Sequence, residues 1–481
     1  MKRSYISQSW LLAVSVFLLV QLTVFSYSLD CPKNIPKGCV CKSKSKFASC
    51  SKNNETISIN WKTNQIHRDL QCKNVSNVDI YKSLDFILIK TQRLDINSCP
   101  LSLVSSITNS YTKLTWLQLN NENLTALPEN IFDRSTRLRV LIISKNEYLT
   151  SMPEQIFKSL TKLYTLELNE NNLTTLPANI FQNLTKLEFL QLNNNNITTL
   201  PETIFSGQTN LSSLKLNGNR LSILQENIFQ NLTELRTLEI NDNNLTDLNV
   251  NLLANLTELR FLQLKRNNLR TLSADVFNSQ TKLIWLSLER NQLSALPEEI
   301  FKTTKELEWL YLQNNQLKTL SEKVFINLNE LRLLQLKGNQ LTVLPEHIFI
   351  GQINLVLLNL DGNQLTMLSQ NIFENTTNLK FILMNENHLT NLPENIFQNL
   401  SGLRGLELSR NQLTTLPSNI FNNQTTLHPL ELNENPWLCD CNFMNLVQKH
   451  AFKQEYENII CADGMSIPDK FAATECASAK N

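Results

Sequence analysis

The chain has 481 residues, with 44 Lys and Arg against 43 Asp and Glu, so its formal net charge is +1. That balance argues against a nucleic acid or an anionic membrane surface as a partner captured by bulk charge. Hydrophobic residues make up 42% and glycines number 9, which suits a folded chain and leaves no glycine-rich linker.

The chain opens with Lys2 and Arg3, an apolar run from Trp10 to Val20 that continues to Phe25, and then Ser26-Tyr27-Ser28. This is the pattern of a secretory signal, with cleavage expected after Ser28. An uncleaved signal anchor is the alternative, but Ser15 and Gln21 interrupt the run. No later apolar run approaches the roughly 20 residues of a membrane span, and the tail Ala477-Ser478-Ala479-Lys480-Asn481 lacks the hydrophobic end of a lipid-anchor signal. The expectation is a secreted, extracellular chain with no transmembrane anchor.

Ten cysteines lie only towards the two ends: Cys31, Cys39, Cys41, Cys50, Cys72 and Cys99, then Cys439, Cys441, Cys461 and Cys476. In an exported chain they read as disulfides; a zinc site is the alternative, but no histidine clusters with the Cys-x-Cys pairs. Between the groups, Leu84-x-x-Ile87-x-Ile89-x-x-Gln92-x-Leu94 reads as a degenerate first repeat.

From Leu114 onward one sentence recurs, for example Leu163-x-x-Leu166-x-Leu168-x-x-Asn171-x-Leu173-x-x-Leu176-Pro177. It restarts at Leu138, then at Leu163 and every 24 residues to Leu427, fourteen starts in all, with one unit of 25 where Tyr148 displaces Leu149. A period of this length with this spacing is the leucine-rich-repeat signature. The leucines that alternate with polar residues predict a short strand with one buried face, stacked coil on coil into a parallel sheet. The Asn column, from Asn171 through Asn315 to Asn435, places an amide that donates and accepts where the chain turns and buries its backbone. A Phe column, from Phe157 through Phe301 to Phe421 with Leu253 as its one exception, predicts a spine in the convex half.

Cys31-x7-Cys39-x-Cys41-x8-Cys50 resembles the amino-terminal cap of extracellular leucine-rich-repeat proteins, and Asn435-Pro436-Trp437-x-Cys439-Asp440-Cys441 with Phe443, Leu446, Cys461 and Cys476 resembles their carboxy-terminal cap. Slit, Toll-type receptor ectodomains, lamprey variable lymphocyte receptors and the carboxypeptidase N regulatory subunit are such proteins. The resemblance implies first-to-third and second-to-fourth pairing in each cap: Cys31 to Cys41, Cys39 to Cys50, Cys439 to Cys461 and Cys441 to Cys476, with Cys72 and Cys99 left to each other. Lys449 and His450 stand where the last cap usually has a Trp, which implies looser packing there. The expected fold is an α/β solenoid, a leucine-rich-repeat horseshoe with a parallel β-sheet on the concave face and disulfide-stapled caps. Its expected parts are a signal peptide (1–28), an amino-terminal cap with a degenerate repeat (29–113), the array (114–434) and a carboxy-terminal cap (435–481).

Asn54, Asn74, Asn123, Asn172, Asn183, Asn196, Asn210, Asn231, Asn244, Asn255, Asn375, Asn399 and Asn423 each begin a glycosylation triplet, so a glycoprotein is expected. The histidines are scattered, no cysteine is spare as a nucleophile, and a shallow strand face does not suit paired catalytic carboxylates. No catalytic residue, cofactor or metal is expected, and the chain is read as a non-enzyme.

A partner is expected on the concave face. The third residue of successive repeats is large and apolar six times running, at Phe261, Trp285, Trp309, Leu333, Leu357 and Phe381, with Tyr311 beside them. The seventh residue, Asn in the repeats before, becomes Lys265, Glu289, Gln313, Lys337 and Asp361 in the same stretch, and no glycosylation triplet falls between Asn255 and Asn375. An apolar stripe, varied polar neighbours and freedom from sugar together mark a binding surface for an extracellular protein. The alternatives are a non-catalytic carrier subunit of an extracellular enzyme and a structural matrix component.

Overall fold

The structure is a computed structural model. It describes residues 39–42, 47–52, 55–61, 67–73, 91–99, 101–120, 124–424, 427–450 and 457–473. The proposed signal segment lies outside these residues. The described residues form nineteen strands of one sheet. Strands β1 (Cys39–Lys42), β2 (Phe47–Lys52), β3 (Glu55–Trp61) and β4 (His67–Lys73) pair antiparallel. From β4 onward every pairing is parallel and between chain neighbours, from β5 (Arg93–Asn97) and β6 (Trp116–Asn120) to β19 (Leu430–Glu431). This is the expected horseshoe solenoid. Helices occur at the ends, as α1 (Leu101–Ser110), α2 (Cys441–His450) and α3 (Ile467–Ala473), while the returning side of each coil is built from turns.

The leucine positions explain the stacking. Leu262, Leu286 and Leu310 pair in register and are fully buried, and their flanking strand residues face the other way. Behind the sheet the Phe column is a stack with ring centroids 6.1 to 6.5 Å apart, from Phe132 to Phe229 and again from Phe277 to Phe421. Strands in a sheet stand only about 4.8 Å apart. Coils that are thicker at the spine than at the sheet are wedges, and a stack of wedges curves with the sheet inside. The Asn ladder supplies the third tie. Asn315 Nδ2 donates to Leu288 O at 2.9 Å and Leu312 O at 3.0 Å, and its Oδ1 accepts the Leu293 N–H at 3.0 Å. Asn146, one repeat upstream of the column read from the sequence, is buried and joins it by donating to Asn171 Oδ1 at 3.0 Å.

The first repeat is displaced from its expected register. Leu94 and Ile96 are buried and pair with Leu117 and Leu119, while Gln92 is exposed. The unit therefore starts at Thr91, and Cys99 stands where later repeats have Asn. Residues 84–90 lie outside the described set. Cys99 is bridged to Cys72 on β4 with Cα atoms 5.0 Å apart, which ties the antiparallel cap to the array. At the other end Cys439 is bridged to Cys461. Cys41, Cys50 and Cys441 are also in disulfides, while Cys31 and Cys476 lie outside the described residues. Cys39 and Cys50 stand directly opposite each other on β1 and β2. The expected looseness at Lys449 and His450 is not what the last cap shows. His450 packs edge-on against Phe421 at 5.6 Å, closing the spine, and buried Trp437 stacks on Phe443 at 4.4 Å.

A longer period is superimposed on the short one. Gln208, Gln280, Gln352 and Gln424 are 72 residues apart, all buried at a place where Leu184, Leu232, Leu256, Leu328 and Leu400 sit in other coils. Each donates Nε2 to a carbonyl of the coil before, as Gln352 does to Phe325 O at 2.5 Å, while its Oε1 is buried with no donor in reach. Phe325 O also accepts the Leu328 N–H. Gln352→Leu is therefore expected to stabilise the chain by about 1 kcal/mol, because it removes an orphaned acceptor and orphans nothing. An unchanged or lower urea midpoint would show that Oε1 is satisfied in solution.

Candidate binding face

The register places the expected residues side by side. On β12 (Phe261–Gln263), β13 (Trp285–Ser287), β14 (Trp309–Tyr311), β15 (Leu333–Gln335), β16 (Leu357–Asn359) and β17 (Phe381–Leu383), the six apolar residues are direct cross-strand neighbours, Phe261 to Trp285 to Trp309 to Leu333 to Leu357 to Phe381. They are half-buried rather than fully exposed. Strand spacing causes this, since large side chains that close together cover one another's flanks. Trp285 lies 5.8 Å from Trp309 and 4.6 Å from Tyr311, ring centre to ring centre, at interplanar angles of 40° and 32°. Tyr311 stands across from the small Ser287, which leaves room for the Trp285 ring to reach it. Three tilted aromatics thus make one plate at the middle of the strip. Burial, then the nearby Glu289 carboxylate, pushes the Tyr311 hydroxyl up to about 12, so it stays a neutral donor at physiological pH.

The strip ends at Gly405. A Cβ there would sit 2.7 Å from Phe381 Cδ1, so glycine is what lets the Phe381 ring lie across the next strand. At the other end the column turns polar at Thr237 and Ser213.

Along one margin the seventh residues form a polar rail. Asn217 Oδ1 accepts the Asn241 N–H at 2.7 Å, and Asn241 Oδ1 accepts the Lys265 N–H at 2.8 Å. Lys265 then pairs with Glu289, Gln313 donates to Glu289, and Lys337 lies 3.4 Å from Asp361. Asp361 Oδ1 accepts the Asn385 N–H at 2.8 Å. The charged residues expected to meet a partner are thus first partners of one another, which leaves a fixed pattern of donors and acceptors beside the aromatics. Exposed Arg260, Arg266 and Arg290 flank the same coils; Arg266 is 3.3 Å from Asp242. Of the carboxylates on the concave strands, Glu239 pairs with Lys215 at 3.3 Å, and burial raises Glu167 above its ordinary value. Among the described residues no group of His, Cys, Asp and Glu is placed to hold a metal.

Burial also raises the Asp361 carboxyl, against the lowering by the Asn385 N–H and by Lys337. A carboxyl whose folded pKa is raised holds its proton more tightly folded than unfolded, so it favours the folded state as pH falls through the raised value and opposes it as pH rises. Asp361→Asn keeps an oxygen for Asn385 and removes the buried charge. The melting midpoint is expected to rise near about pH 7 and to rise less near about pH 4. An equal gain at both would exclude the charge as its source.

Two columns escaped the sequence. The eighth residue of the repeats is left-handed, with φ between 50° and 65° at positions as different as Lys145, Glu170, Arg266, Gly338 and Glu434; Gly, Asn or Asp fills only some of these places, so no single residue type marks it. The glycosylation asparagines also have structural partners. Nδ2 of Asn210, Asn231, Asn255, Asn399 and Asn423 donates to a carbonyl of the previous coil at 2.8 to 3.1 Å, and Asn183 does so at 3.4 Å. Asn354 and Asn378, which begin no triplet, make the same bond from the place that Asn210 holds, three residues beyond the place of the others. Asparagine at the Asn210 place thus has a packing reason that needs no sugar. Asn196 donates to Asn172, Asn244 and Asn375 are exposed, and Asn54, Asn74 and Asn123 lie outside the described residues.

A leucine rich repeat family model matches residues 136–197 and 281–341, and a BspA type leucine rich repeat region model matches 174–308 and 342–455. The chain belongs to the leucine-rich-repeat family. Among solved structures, a leucine-rich-repeat protein of Leptospira interrogans is 30% identical, with a TM-score of 0.67 over 76% of this chain and 90% of that chain. The glycosylated Toll–Spätzle complex of Drosophila matches at 21% identity and a TM-score of 0.66, over 90% of this chain and 75% of that one. The octameric complex of latrophilin 3, Unc5D and the FLRT2 leucine-rich repeats matches at 24% and 0.53, over 61% and 92%. The last two likenesses are of fold. No curated protein sequence matches the chain. No described helix is long and apolar enough to cross a membrane.

Proposed function

We propose that this leucine-rich-repeat chain is a secreted glycoprotein that binds a protein partner through the concave strip on β12 to β17. One observation carries the reading: six large apolar side chains stand in register on that face, centred on the Trp285, Trp309 and Tyr311 plate, and among the described residues no element outside the sheet covers them. Such a plate beside a rail of fixed polar groups has the anatomy of a binding hot spot. Six strands about 4.8 Å apart offer a strip of roughly 25 Å, enough for a standard protein interface. Disulfides at both ends suit an oxidising, extracellular setting.

The test is affinity capture from extracellular extract with the intact chain as bait, followed by cross-linking to locate the contact. A captured protein whose cross-links fall on coils 259 to 381 supports the reading. Cross-links confined to the caps would reject it. Co-purification of a stoichiometric extracellular enzyme would favour the carrier-subunit alternative.

A further inference from the structure

The back of the same coils carries apolar groups that the concave strip does not use. Ile326 and Ile350 are 41% and 46% exposed on the returning side, where other coils place Gln182, Ser206, Asn278 or Gln398, and Ile353, 53% exposed, stands where other coils place Thr185, Thr209, Thr281 or Ser401. Glycosylation triplets vanish from the back here too. The place held by Asn183, Asn231, Asn255, Asn375, Asn399 and Asn423 becomes Ser279, Thr303, Asn327 in Asn-Leu-Asn, and Gly351. A partner confined to the concave face would leave the back free to carry sugar, so the bare apolar back calls for a contact of its own.

The order of side chains identifies the occupant. On four successive coils one column reads Lys302, Ile326, Ile350, Glu374. Reversed, it reads anion, apolar, apolar, cation, which is its own complement, and self-complementarity is the requirement of a two-fold contact between identical chains. We propose that a second copy of this chain docks back to back on this column, antiparallel, with the two-fold axis crossing the solenoid between Ile326 and Ile350. Lys302 then meets the partner's Glu374, and Ile326 meets the partner's Ile350. The Lys302 ammonium is held 2.9 Å from Asp275 and 3.6 Å from Glu299 in its own chain, which leaves a third N–H to face outward. Glu374 is exposed and has no ion pair among the described residues.

Coils on the spine side are 6.1 to 6.5 Å apart, so the column is short, and two convex surfaces touch over less than the roughly 1,600 Å² of a standard interface. The dimer is accordingly weak and reversible. It turns the two concave strips away from each other, making a bivalent binder whose avidity exceeds that of either strip for a partner displayed in many copies.

The test is sedimentation equilibrium of the full chain over about 1 to 100 μM. A monomer–dimer equilibrium is expected, with at least a tenfold weaker association in Ile350→Asp at an unchanged melting midpoint. Lys302→Glu and Glu374→Lys should each weaken association. The double reversal should restore it to within about threefold, because opposite charges again face each other across the axis. Trp285→Ala should not alter it. A monomer throughout the range, a dimer indifferent to Ile350→Asp, a double reversal no better than the singles, or a dimer broken by Trp285→Ala would each overturn the proposal. None of these results bears on partner capture by the concave strip, which is read separately.

Discussion

Replacing Asn315 by alanine is expected to cost about 2 to 3 kcal/mol of stability, far more than the roughly 0.5 kcal/mol of an ordinary surface substitution. The bonds on either side of it decide the size. Leu288 O keeps a bond from Asn291 and Leu312 O keeps one from Asn339, so neither carbonyl is stranded. The Leu293 N–H has Asn315 Oδ1 as its acceptor at 3.0 Å and is left buried without one, which carries most of the cost. Asn315→Asp retains that acceptor but sets a carboxylate against the Leu288 and Leu312 carbonyls, and is expected to be at least as damaging. Urea denaturation of both variants is the measurement. A loss under about 0.5 kcal/mol in the alanine variant would mean that the ladder does not carry the turn at this coil.

What the sequence made legible depended on whether a structural demand selects a residue type. A buried strand face demands leucine and a buried turn demands an amide, so the Leu, Asn and Phe columns spell out the solenoid. The left-handed eighth position demands only a backbone angle; Gly218, Gly338, Gly362, Asn194, Asn314 and Asp242 suit it by type, but Glu170 and Arg266 adopt it too, so it leaves only a partial trace. The first repeat is hidden in the sequence because Thr91 stands in the leucine position and Cys99, which bridges to the cap, stands in the amide position. The candidate face was legible as a column because a 24-residue period puts residue n beside residue n + 24. Its half-burial and the mutual pairing of Lys265 with Glu289 and Lys337 with Asp361 were not legible, since they depend on side chains of neighbouring coils meeting in space.

The double variant Trp285→Ala with Trp309→Ala is expected to weaken the proposed protein partner by at least about 2 kcal/mol, roughly thirtyfold, if the plate is the hot spot. Half-burial alters what the variant does to the fold. Removing both rings deletes the 5.8 Å contact between them and the 4.6 Å contact with Tyr311, and pairs of this kind contribute about 0.5 to 1.5 kcal/mol each. A modest fall in the melting midpoint is therefore expected, without loss of the folded state, because the leucines beneath, Leu286 and Leu310, remain fully buried. The control is Thr165→Ala with Ser213→Ala, at the same strand position in the polar coils, which should change neither binding nor melting by more than about 0.5 kcal/mol. Binding titrations on samples shown to be folded separate the two effects. If the folded Trp double variant bound its partner within threefold of the natural chain, the aromatic plate would be a packing feature of the sheet, and the contact would have to lie elsewhere on the coils.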